Sequence, residues 1–69
     1  MSEFRENLLI RMIHIYGFEN ELTIKYAYML EKVPQTKAYD KDLETIIKCL
    51  ELNPLLGKVF NSITNKYTK

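Results

Sequence analysis

Glycine, proline and cysteine are scarce in this 69-residue chain, with two, two and one of each. The lone thiol, Cys49, cannot close a disulfide within one chain, which removes the usual covalent staple of a minimal domain. One histidine, His14, beside one cysteine excludes by count an intrachain zinc site of Cys and His ligands. Gly17 and Gly57 are the only glycines and stand far apart, so no Gly-rich phosphate loop exists. Long apolar runs are also missing. Near the start the longest is Leu8-Leu9-Ile10, far short of a membrane span. The polar opening Ser2, Glu3, Arg5, Glu6 and Asn7 does not resemble a secretory signal, and no Asn-x-Ser/Thr acceptor occurs. A cytoplasmic location is the expectation, without membrane association.

Charge of one sign is lacking as well. Ten basic and nine acidic residues leave a net charge of +1. Up to Val33 there are four basic and five acidic side chains, and beyond it six and four. That asymmetry is too slight for a basic arm and disfavours nucleic acid as a partner. Lysine outnumbers arginine eight to two, and Ile, Asn and Tyr are plentiful, the usage of an AT-rich coding genome such as a bacterium or its phages.

What is present is the mix of an ordinary globular domain, 46% hydrophobic and 28% charged. The length holds one domain, 1–69, and a core of modest size. The pattern predicts an all-α fold, a bundle of three to four short helices that self-associates. The first helix runs from about Ser2, its N-cap, to Tyr16, with Gly17 placed to close it. The second runs from about Glu19 to Lys32, ended by Pro34. After a loop over Val33–Tyr39, Asp40 is a natural N-cap for a third helix, about Lys41 to Leu52. Asn53-Pro54 then starts a fourth helix running to about Lys66, or else kinks one long helix; a break is favoured.

Helical spacing sorts the faces. Phe18, Leu22, Tyr26, Met29, Leu30 and Val33 line one side of the second helix; Leu43, Ile46, Ile47 and Leu50 line the third. Leu56, Val59, Phe60, Ile63 and Tyr67 line the fourth. The first helix departs from this pattern. Only Glu3, Asn7, Arg11 and His14 form a consistently polar stripe, so apolar side chains coat more than half its circumference. Such a helix is buried on several sides, by its own chain or by a partner. Ile24 and Tyr28, four apart on the otherwise polar face of the second helix, are either ordinary scattered surface hydrophobes or partner contacts. Leu52 likewise falls off the third helix's stripe.

Little points to catalysis. His14 has Arg11 and Asn7 as helical neighbours and no carboxylate to orient it. Cys49 has no second histidine to serve as its base and suits a core or boundary position. Asp40 and Asp42 belong more naturally to a helix start than to a cation site. No cofactor or metal is implied. The function expected is a non-enzymatic protein–protein interaction module acting as a homodimer or on a protein partner, with Ile10, Ile13, Tyr16, Ile24 and Tyr28 as its interface. The alternative is a small DNA-binding transcriptional regulator. Its candidate recognition helix, however, begins with Glu19 and Glu21 where phosphate would sit.

Overall fold

Each of the first three helices starts at a short polar side chain that satisfies a backbone N–H left open by the first turn. In the computed structural model, which describes residues 1–67 and the side chains of residues 1–62, Ser2 caps helix α1 (Glu3–Tyr16) by accepting the Arg5 N–H at 3.3 Å. Asn20 caps α2 (Glu21–Lys32), its Oδ1 taking the Leu22 N–H at 2.8 Å. Thr36 caps α3 (Lys37–Leu52) through the Tyr39 N–H at 3.3 Å. Asn53 then leaves the helical region, and a 3₁₀ turn over Pro54–Leu56 leads into α4 (Gly57–Tyr67). Proline at the head of that turn makes a true break, since it has no N–H with which to continue α3.

Two boundaries differ from expectation. The second helix begins at Glu21, because Asn20 rather than a residue near Phe18 provides the cap. The third begins at Lys37, a full turn earlier than Asp40 would set it. Pro34 restricts only its predecessor, so Lys37 and Ala38, good helix formers, can propagate from Thr36. Gly17 closes α1 as expected, at φ 92 and ψ 164, a region essentially reserved for glycine.

Helix α1 packs between α2 and α3, and α2 packs on its other side against α4. The fold is all-α, with no strand among the described residues. Its radius of gyration of 10.8 Å matches the ~11 Å of a fully compacted chain of this length. The core joins Leu8 and Met12 from α1, Tyr26, Met29 and Leu30 from α2, Leu43, Ile47 and Leu50 from α3, and Phe60 from α4. At the start of α4 the approach is close: a Cβ on Gly57 would stand 2.7 Å from Leu22 Cδ1 and 3.2 Å from the Tyr16 hydroxyl, so those side-chain ends would have to shift. Glycine there lets α4 close down on the α1–α2 corner.

Tyr26 ties three helices together. Its hydroxyl donates to the Leu43 carbonyl at 3.0 Å, and its ring meets Phe60 at a centroid distance of 5.7 Å. Burial pushes its phenol far above the ordinary value of 10.0, because the charged form would lose its hydration. A folded-state pKa that is raised means stability is intact below the unfolded value and drains away as pH rises through it. Unfolding free energy should therefore fall as pH rises above about 10, as unfolded tyrosines release protons that Tyr26 retains when folded. Tyr26→Phe should lose about 0.5–1.5 kcal/mol at neutral pH and show a shallower alkaline decline, measured by denaturant midpoints at neutral and alkaline pH.

Arg5 is the unforeseen element. Its side chain is wholly buried in the midst of the apolar stripe of α1. Nη1 donates to the Leu30 and Val33 carbonyls at 2.8 and 2.6 Å, and Nη2 to the Pro34 carbonyl at 2.6 Å. Nε reaches Asp40 Oδ1 at 2.8 Å. One guanidinium thus caps the C-terminal carbonyls of α2, favourable also for the helix dipole, and pins the first turn of α3. Asp40, expected to cap α3, serves instead as the counter-charge to Arg5.

Candidate docking surfaces

Arg11 and Lys25 mark which flank of each helix faces which neighbour. Arg11 forks onto Glu51 of α3, Nε to Oε2 at 3.1 Å and Nη2 to Oε1 at 2.6 Å. That contact holds the Glu51 carboxyl below its usual range. Lys25 reaches Asn61 of α4 at 3.2 Å and Glu21 at 3.3 Å. Ile10 and Ile13 lie on α1, and Ile24 and Tyr28 on α2. Ile10, Ile24 and Tyr28 are exposed, and Ile13 is half-buried.

Three of the five interface residues named from sequence, Ile10, Ile24 and Tyr28, are open on the outer faces of the α1–α2 hairpin, its outer seam. Tyr16 does not join them. It is half-buried against the core, and its hydroxyl donates to the Pro54 carbonyl beneath α4. Glu6 and Glu31 share the seam's flanks by helical position, and Lys32 Nζ lies 5.5 Å from the centre of the Tyr28 ring. Charge therefore interrupts this patch. Phe4 and Ile15 complete the wide apolar coat of α1; Phe4 is exposed beside Lys37, Asp40, Lys41 and Glu44 of α3, and Ile15 packs on the core.

A second surface is more uniformly apolar. Between α3 and α4 runs an open groove of about 230 Å³. Thr45, Ile46, Cys49 and Leu50 form one wall, and Leu56, Val59 and Phe60 the other. Leu52, the last residue of α3, and Leu55, in the turn that follows, are 88% and 87% exposed. Leu52 stands one helical turn beyond Cys49, and Leu55 directly precedes Leu56 in the chain, so both leucines adjoin groove residues in sequence without lining the groove themselves. Val59, assigned to the buried stripe of α4, is 56% exposed, and Leu56 is open too. Ile63 and Tyr67, on that same stripe, lie outside the residues whose side chains are described. Phe18, placed on the core face of α2, sits in the loop before it and is 76% exposed.

Chemistry-bearing groups do not converge. His14 lies on the outer face of α1, while Cys49 faces the groove from α3, exposed rather than in the core. Among the described residues no three His, Cys, Asp or Glu side chains cluster as metal ligands, and no helix is long and apolar enough to cross a membrane. Glu21 and Lys25, and Glu44 and Lys48, pair along their own helices at 3.3 and 3.5 Å. Comparison with family models, curated proteins and solved structures yields no match to this chain.

Proposed function

We propose that this chain is a non-enzymatic helical docking module that binds protein, a second copy of itself included, through the face built by α3, the Pro54–Leu56 turn and α4. The observation that carries this reading is the groove with the two exposed leucines that adjoin it in sequence. Two leucines nearly nine-tenths open beside an apolar cleft are a costly arrangement for an isolated domain. Solvent exposure of such a patch forgoes about 25 cal/mol for each Å² that burial would remove from water. The small core adds to the case, since a chain of this size gains stability by association.

The α1–α2 seam is a weaker candidate, because Glu6, Glu31 and Lys32 break it up. Two double variants separate the surfaces. Leu52→Lys/Leu55→Lys should abolish association yet leave helicity intact, whereas Ile24→Lys/Tyr28→Lys should leave association largely unchanged. Mass by light scattering and helicity by circular dichroism read both. The reverse ranking would move the docking site to the seam.

A further inference from the structure

We draw no further inference here: the strongest candidate, the open apolar groove between α3 and α4, carries nothing beyond the docking proposal because nothing in the structure shows what covers it.

Discussion

Replacing Arg5 with methionine should destabilise this protein more than any other single change considered for it. Methionine keeps the aliphatic bulk but removes every donor. The Leu30 and Val33 carbonyls are then left without the guanidinium in a buried setting, and the Pro34 carbonyl in a half-buried one. A buried polar group that loses its partner costs about 1–3 kcal/mol. Breaking a buried charged network by removing one member costs about 3–5 kcal/mol. Asp40 adds little to that sum, since its side chain is 30% exposed and can recover water. Domains of this size hold about 3–10 kcal/mol in total at roughly 0.05–0.15 kcal/mol per residue. Thermal melting of Arg5→Met should therefore fall by at least about 12–20 °C, at ~4–8 °C per kcal/mol. Asp40→Asn should lose far less. A loss below about 1 kcal/mol for Arg5→Met would show that water satisfies the end of α2 just as well.

Phe60→Ala should have the second largest effect. Among the α4 side chains that are described, Phe60 is the one in the buried core, where it meets the Tyr26 ring. Truncating a buried phenylalanine costs about 3–5 kcal/mol, through lost transfer energy and the cavity left behind. Here the loss falls on one helix. Amide exchange in α4 should accelerate first, because α2 supplies its principal helical neighbour, while α1–α3 stay joined through Arg5 and Arg11. Uniform acceleration across all four helices would mean that α4 is part of a single cooperative unit.

The helices were legible in the sequence wherever a local rule decided them. Ser2 and Gly17 bound α1, Pro34 limits α2, and Pro54 breaks the chain between α3 and α4. The core stripes of α2 and α3 followed from spacing alone, apart from Phe18. Arg5 was not legible, because composition places arginine on surfaces and only a tertiary partner makes its burial affordable. Its position still held a clue: Arg5, Leu8 and Met12 share one stripe of α1. The start of α3 was missed for a related reason, since Asp40 has the residue type of a cap but is engaged by a side chain 35 positions away.

The proposed docking face was not legible in the sequence. Of the residues named there as an interface, Ile10, Ile24 and Tyr28 are exposed and Tyr16 packs on the core. The α3–α4 face escaped because helical spacing assigned Leu56 and Val59 to the core. The 3₁₀ turn between α3 and α4 sets the rotation of α4, and periodicity within a helix carries no information about that rotation. Leu52 stood off its stripe from the outset, while Leu55 belongs to no regular helix and had no stripe to leave.

The central proposal is that this domain associates through its apolar α3–α4 face, a second copy being the partner that can be tested with the chain alone. Light scattering across a concentration series, with thermal unfolding at each step, tests it most directly. The mass should climb from the 8.2 kDa of one chain toward twice that value, and the melting temperature should rise with concentration as mass action requires. A mass fixed at one chain throughout, with a melting temperature indifferent to concentration, would contradict it.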